Sequence, residues 1–531
     1  MRMRLRYFSL ILWLFLITDP ASRVLGRPLQ SDPESDALFS GPIRKFELQV
    51  DRSGIQSLRK DPRKPVQATL RVGTNSWDSV GIHIKGAAGS ARDIDDLPAL
   101  TIRVNRFRKG QRALGLTKFH LNNSVQDASR MSEIVCADLY LRAGIPATRA
   151  THALVFLNGR RLGLYVLKEG FDRNFLKRHF HDPTGNLYDG GFLQDIDQDL
   201  GLDSGREPPD WSDLRALSAA CQIVDDTRRR EALERLLDVD RFITYTALQI
   251  MTEDWDGYPA NRNNYRLYHE PNIGRFTFLP HGMDQMFDQG GMAITRGFEG
   301  LVAQRVFQVR EWQNAYFERI GTLLTNAFTA ASILPSFDAA VERREAVLSQ
   351  LKRREAEEIR SATRDLRERI IQRIEGIRQQ LEQRPRPSEI GSNGLVPIPA
   401  SQWTVRLTEG KGQAERRPTG GEGERFHLEL RTAGQISWRT RITLPAGEYR
   451  FEGRGQVRDV QSSPDGTGLG LGLRISGSQR TSGLTGTTGW EDQSFGFRLD
   501  FDSEVELVAE LRARRGSGMF DSTAFKLRKL R

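Results

Sequence analysis

The residues best suited to chemistry are concentrated between Glu253 and Phe287. The run EDWDGYPANRNNYRLYHEPNIGRFTFLPHGMDQMF sets Asp254 and Asp256 two positions apart, follows them with Asn261, Asn263 and Asn264, and reaches Asp284 after a hairpin-like stretch. Carboxylate and carboxamide oxygens gathered this way suit a hard cation such as Mg²⁺, which prefers oxygen ligands. An Asp, then an Asn, then a second Asp beyond a β-hairpin is also the order found where phosphoryl groups are transferred. There the first Asp orients the hydroxyl nucleophile, while the Asn and second Asp hold metal on the nucleotide phosphates. Taken one at a time, each of these residues is equally at home in a turn. His281, inside the same run, reads as a hydrogen-bonded core histidine.

Other catalytic signatures are missing from the sequence. It has no Gly-x-Ser-x-Gly elbow, no His-Glu-x-x-His and no Gly-x-x-x-x-Gly-Lys-Ser/Thr phosphate loop. The Gly-rich GTGLGLGLR at 466–474 alternates Gly with Leu and has no helix after it, so it reads as a close-packed strand.

The elements that must position the polar run are legible in outline. FELQV, ATLRVG, VGIHIKG and ALTIRVN alternate as strands from Phe46 onward, and 129–143 reads as a helix ended by Gly144. THALVFLNGRRLGLYVLKEG carries an Asn158-Gly159 turn between two strands, a strong hairpin signal. Residues 195–215 read as an exposed acidic loop, and two helical stretches span 212–252. From 334 to 384 apolar residues recur at three- and four-residue steps among Arg and Glu, giving a long amphipathic helix or helix pair. Packing against its own domain is the expected fate of its apolar stripe, with a coiled-coil dimer the alternative. Its Arg-rich face reads as solvated.

The segment 385–400 is rich in Pro and Gly and marks a boundary. Beyond it, short β-runs at spacings near ten residues predict an all-β sandwich, jelly-roll-like, over 401–531. Trp438, Tyr449, Trp490 and Phe520 are candidate sugar platforms there, or else core aromatics.

Composition narrows the class. The chain has 531 residues, a formal charge of +10 and 27% charged residues, which excludes a polytopic membrane protein and allows several domains. With two cysteines and eight histidines, neither a disulfide scaffold nor a multi-Cys zinc module is tenable. Cys136 and Cys221 are open to pairing or to burial as thiols. Residues 1–26 join a basic start, the apolar run YFSLILWLFLIT and small residues near Gly26, the layout of a secretory signal peptide, with an uncleaved anchor as the alternative. Four of the arginines lie in that segment against one aspartate, so part of the basic excess leaves with it. No aromatic and basic interleaving of the kind used by single-strand grooves appears, which leaves a nucleic-acid binder the weakest reading. The expected location is secreted, periplasmic or at the cell surface, with residues 27–45 a linker and no membrane-spanning segment after signal removal.

Four ordered blocks then resemble the spore-coat protein H (CotH) kinase family, an atypical, secreted, distantly kinase-like group. They are KFHLNNSVQDASRMSE (118–133), LNGRRLGLYVLKE (157–169), DWDGYPANRNNYRLY (254–268) and FLPHGMDQMF (278–287). The resemblance implies an α+β architecture, with an atypical kinase-like domain over 46–384 followed by the β-sandwich. It implies Mg²⁺ or Mn²⁺ and ATP as cofactors and Ser/Thr of a surface or envelope protein as acceptor. Asp256, with Asp254 as competitor, takes the catalytic role. Asn264 and Asp284 hold metal, while Lys85, Lys118, Lys168, Glu169 and Asn261 face the nucleotide. Glu169 would orient a lysine or touch the nucleotide.

Departures accompany the match. The family's Asn-bearing turn appears as KGAAGS at 85–90, with Ala87 in place of the Asn. Leu97 and Pro98 stand where a phosphate-binding Lys is expected, and Ser132 where an Arg is expected, with Arg130 two positions earlier. Lys85, Arg92, Lys118 or Lys168 could supply the charge from another backbone position. The alternative is a non-catalytic surface or structural protein that uses the fold for contact and the sandwich for a polysaccharide.

Overall fold

A computed structural model describes residues 30–530, save 88, 289, 385–386, 389, 392, 399–401, 419–422, 463–469 and 480–482. The signal-peptide segment and the first half of the Gly-Leu repeat therefore lie outside the described residues. The chain divides into two compact units. One holds residues up to Asn123, Ile134–Pro183 and Ser336–Leu348; the other holds Ser124–Glu133, Thr184–Pro335 and Ser349–Arg531.

The elements of the first stretch are α1 (Pro33–Ser40), β1 (Arg44–Val50), α2 (Arg52–Lys60), β2 (Val66–Val72), β3 (Asn75–Lys85), β4 (Ala99–Arg103), β5 (Lys118–Asn122), α3 (Ser132–Arg142), β6 (Ala150–Leu157), β7 (Arg160–Glu169) and α4 (Arg173–His179). Seven strands close a barrel in the order β1-β2-β3-β4-β5-β7-β6. Their alternation puts Phe46, Leu70, Ile82, Leu100, Phe119 and Leu167 inside. The β6–β7 hairpin turns on Asn158 and Gly159, both at positive φ, as a tight two-residue turn requires. Asn158 also accepts from the Val50 amide at 2.7 Å and donates to the Val50 carbonyl at 2.9 Å, fastening the turn to β1. The stretch read as a linker carries α1, which Asp32 caps through the Ser35 amide. Its Leu38 and Phe39 join the barrel core.

The second unit continues with β8 (Leu187–Asp189), β9 (Gly201–Ser204), α5 (Ser212–Gln222), α6 (Asp226–Leu236), α7 (Val239–Met251), α8 (Tyr258–Asn261), β10 (Tyr265–Glu270), β11 (Arg275–Pro280), α9 (Leu301–Val306) and α10 (Arg310–Thr325). Helix α11 (Ala330–Leu348) and helix α12 (Arg353–Glu382) follow. Three helices, not two, span 212–251, because Asp225 and Asp238 each cap a fresh helix through a side-chain bond to the amide three residues on. The 195–215 loop is not wholly irregular, since β9 completes a sheet of order β11-β10-β8-β9. Helix α12 buries Ile359, Leu366, Ile370, Ile374 and Ile377 within its own unit, each worth roughly 1.5–3 kcal/mol.

The C-terminal stretch holds β12 (Leu395–Val396), β13 (Thr404–Glu409), β14 (Gly412–Pro418), β15 (Glu424–Leu430), β16 (Gly434–Leu444), β17 (Gly447–Gln461), β18 (Gly470–Ile475), β19 (Glu491–Leu499), β20 (Ser503–Ala513) and β21 (Arg515–Lys529). They form two antiparallel sheets, β14-β15-β21-β17-β19 with β12 beside β21, and β13-β16-β20-β18. Both sheets contribute to one core of Trp403, Phe426, Trp438, Phe451, Leu471, Leu507 and Phe520. Of the four candidate platforms, Trp438, Tyr449 and Phe520 are buried in that core. Trp490 is half-buried, with the Arg425 guanidinium over its ring.

Among the described residues no single helix is long and apolar enough to cross a membrane. Cys136 and Cys221 are both buried thiols, and burial pushes Cys221 up to about 12.

Candidate active site

Helix α7 delivers the first part of the site. It ends at Thr252, whose hydroxyl donates back to the Leu248 carbonyl at 2.8 Å. Glu253 then takes a left-handed conformation, φ 59°, and turns the chain so that Asp254 points inward. Asp254 is fully buried. Its amide donates to the Gln249 carbonyl at 2.8 Å, and one carboxylate oxygen accepts from Gln249 Nε2 at 2.6 Å. The other oxygen, Oδ1, is buried with no hydrogen-bond partner. Burial, then the charges of Asp256, Asp284 and Glu133, holds this carboxyl well above the usual carboxylate range.

Asp256 stands in a different environment. It is half-buried and accepts from three carboxamides: Asn261 at 2.7 Å, Asn263 at 2.9 Å and Asn264 at 2.8 Å. An ionised carboxylate only accepts, so each Asn must offer it the NH₂ side and turn its carbonyl oxygen away. With about four lone-pair sites on a carboxylate, three donors leave room for one more.

The β10–β11 hairpin brings up the rest. Its register sets Tyr265 opposite Pro280, and the His281 amide donates to the Asn264 carbonyl at 3.0 Å. That fixes Asn264 and the segment carrying Asp284 side by side. His281 is half-buried. Gly282 has φ 62°, and a Cβ there would lie 2.5 Å from Asn264 Oδ1. The glycine is required by both backbone and space. Glu253, Arg262, Asn264 and Phe287 all adopt positive φ within this one segment, a concentration of strain of the sort that functional sites carry. Behind it, the Tyr258 ring packs 4.6 Å from Tyr265 and 4.5 Å from Phe278. The Tyr258 hydroxyl donates to Asp195 at 2.9 Å and accepts from the Val302 amide at 2.9 Å.

A buried, unpartnered carboxylate oxygen among like charges and outward-turned carboxamide oxygens fits a hard divalent cation in chemistry. Among the described residues no group of three or more His, Cys, Asp or Glu side chains is placed so that it could hold a metal ion by itself. Carboxamide oxygens would have to complete the set.

The barrel unit holds the other sequence candidates. Lys85, at the end of β3, donates to Asn122 Oδ1 at 2.7 Å, and Lys118 donates to the Phe171 carbonyl at 3.2 Å. Lys168 is fully buried. Glu169 is buried and engaged by two arginines, Arg149 Nε at 3.2 Å and Arg178 at 3.0 Å. Arg149 in turn reaches Asp36 at 2.6 Å and lies over the Phe39 ring. The partners of Glu169 just named are thus arginines, one of which also fastens α1. The turn at 85–90 is tied to the start of β4 by Asn123, which donates to the carbonyls of Ser90 at 3.2 Å and Leu97 at 2.7 Å. Burial, then the charges of Arg103, Arg63, Lys118 and Lys85, pushes His83 down to about 4.

Several of these contributors were not singled out from the sequence. Gln249 and Gly282 gave no signal. Glu253 was visible only as one more acid in the run, and Asn263 as one of three interchangeable asparagines.

Residues 82–386 match the CotH kinase protein family. The chain is 24% identical over 328 residues to inner spore coat protein H of Bacillus subtilis, covering 56% of this chain and 86% of that protein. It is 23% identical over 292 residues to invasin CotH3 of Rhizopus delemar, covering 49% of this chain and 48% of the invasin, so it spans about half that relative's length. Among solved structures it is similar to TmCBM61 in complex with β-1,4-galactotriose, at 19% identity over 24% of this chain and 89% of that one, with a TM-score of 0.18. A xylan-binding CBM22-1 domain from Paenibacillus barcinonensis aligns at 10% identity over 25% of this chain and 88% of that one, also with a TM-score of 0.18.

Proposed function

The chain belongs to the CotH kinase protein family, and from that premise we propose that it is an exported, cation-dependent phosphotransferase that moves the γ-phosphoryl group of ATP to Ser or Thr hydroxyls of surface or envelope proteins. The observation that carries the reading is the polar cluster at the end of α7, where Asp254 keeps a buried oxygen unpartnered beside Asp256 and Asp284. Such a carboxylate is costly to fold unless something positive meets it.

Asp254 Oδ1, the Asp284 carboxylate and the Asn264 carboxamide oxygen are the groups that would hold Mg²⁺ or Mn²⁺. When bound, the cation neutralises charge on the transferring phosphoryl group. Asp256 does two things through one carboxylate. Its three asparagine donors lock the loop, and its remaining acceptor site orients the incoming hydroxyl. Lys85 and Lys118, with part-exposed side chains, are the candidates for the nucleotide phosphates. The C-terminal sheets would hold the enzyme on a polysaccharide, with Trp490 the one of the four candidate rings left part-exposed.

A second reading, a non-catalytic surface protein, draws on Leu97 in place of the expected lysine and on the open ligand set. Labelled ATP with Mg²⁺ or Mn²⁺ separates the two. The kinase reading requires phosphate transfer by the wild type, to itself or to a general acceptor, well above that of Asp284→Ala. Equal transfer by the two proteins leaves the non-catalytic reading.

A further inference from the structure

The two arms of the site, Asp254 at the end of α7 and Asp284 beyond the hairpin, come from separate stretches of chain, and α12 meets the last turn of α7 before the first and the segment from Met292, eight residues past the second. Arg373 is buried. Its guanidinium donates to the carbonyls of Ile250 at 2.7 Å and Met251 at 3.1 Å on one arm, and of Met292 at 2.8 Å on the other. Glu253, also buried, lies 3.5 Å from that guanidinium. Its Oε1 accepts from the amides of Gly291 at 2.7 Å and Met292 at 3.0 Å. Gln380, two turns along α12, accepts from the Ile294 amide at 2.8 Å.

We propose that Arg373 and Glu253 form a positioning pair that fixes the spacing between Asp254 and Asp284 and so sets the affinity of the site for its cation. The inference rests on the phosphotransferase reading and adds to it. Two physical features support it. The last carbonyls of a helix have no partners within it and carry the negative end of the helix dipole. The last turn of α7 points them toward a region already crowded with carboxylates, and a buried guanidinium both satisfies and neutralises them. The planar fork of arginine can hold carbonyls on two strands of chain at once, which a lysine ammonium does not reproduce. Arg373 also stands three residues from Ile370 and one before Ile374 on the apolar stripe of α12. Burying a cation there is costly unless its partners repay it.

The test uses the full chain and Mn²⁺ alone. In the wild type, Mn²⁺ should slow amide hydrogen exchange in peptides covering 250–256 and 286–294 together. Arg373→Lys and Glu253→Gln keep a charge or an acceptor in place. Each should weaken Mn²⁺ binding about tenfold by calorimetry while leaving metal-free ATP binding within twofold. Protection confined to 250–256, or Mn²⁺ affinity unchanged in both folded variants, overturns the positioning pair and leaves the phosphotransferase reading standing. If wild type binds no Mn²⁺ at all, the reading falls and the inference with it. Should the variants fail to fold, the wild-type exchange pattern decides by itself.

Discussion

Buried charge is handled in opposite ways at the end of α7 and in the C-terminal sheets. On β16, β18 and β20 buried ionic groups are paired with their opposites: Arg439 reaches Glu506 at 2.6 Å, and Arg474, whose Nε alone lacks a partner, reaches Glu510 at 2.8 Å, where Gln435 adds a further donor at 2.8 Å. At the end of α7 the buried Asp254 has the half-buried Asp256 and Asp284 as neighbours of its own sign, and its Oδ1 has no hydrogen-bond partner. Paired burial builds a sheet face and asks for no ligand. A buried carboxylate oxygen without a donor is a standing cost, and a cation removes it. That contrast is a stronger pointer to function than the number of acidic residues in either place.

The largest effect that would sharpen this contrast is on catalysis. Asp284→Ala should lower phosphate transfer by about 10²–10³-fold, the scale of losing one charge-stabilising group, while circular dichroism stays that of the wild type. Next comes Arg474→Met, which takes the guanidinium away from the buried Glu510 and should cost about 3 kcal/mol of stability in urea melts. Transfer by the folded fraction should be unchanged; a matching loss of transfer would mean that the sheets and the site are not separable in the way claimed.

Asp254→Asn acts in the opposite direction. Removing the buried charge should stabilise the cation-free chain by about 1–3 kcal/mol while abolishing transfer. The pH dependence follows from the raised pKa of Asp254. The contribution of this group is fully present below the unfolded value of about 4 and is lost as pH rises through the folded value, because the unfolded chain ionises first. Thermal melts of cation-free protein should therefore show a decline in stability above pH 4 that Asp254→Asn diminishes. The smallest expected change is at Trp490, half-buried and away from the packed core. Trp490→Ala should shift stability by less than about 0.5 kcal/mol, and any larger effect on polysaccharide retention would single it out as a contact.

How much of this could be read in advance depended on the range of the interactions. The Asn158-Gly159 hairpin was legible because a tight turn is chosen by its own two residues. The barrel strands declared themselves by alternation, and the polar run from Glu253 by its composition. The three helices of 212–251 could have been separated had Asp225 and Asp238 been read as caps. Other features had no local signature. Glu169 receives its arginines from positions 149 and 178, on either side of its own strand. Three of the four aromatics chosen as platforms face the core shared by the two sheets, and alternation by itself does not say which face of a strand is inward.

The sequence by itself determined the chemistry available: oxygen ligands in one run, cations in another, and the order of blocks that identifies the family. Tertiary structure decided which of those groups are spent and which remain open. Asp256 is committed to three asparagines, Glu169 to two arginines, and Asp254 alone of these keeps a buried oxygen without a donor. Side-chain partners and burial depend on elements distant in the chain, such as Arg373 on α12, and no window of sequence around Asp254 contains them.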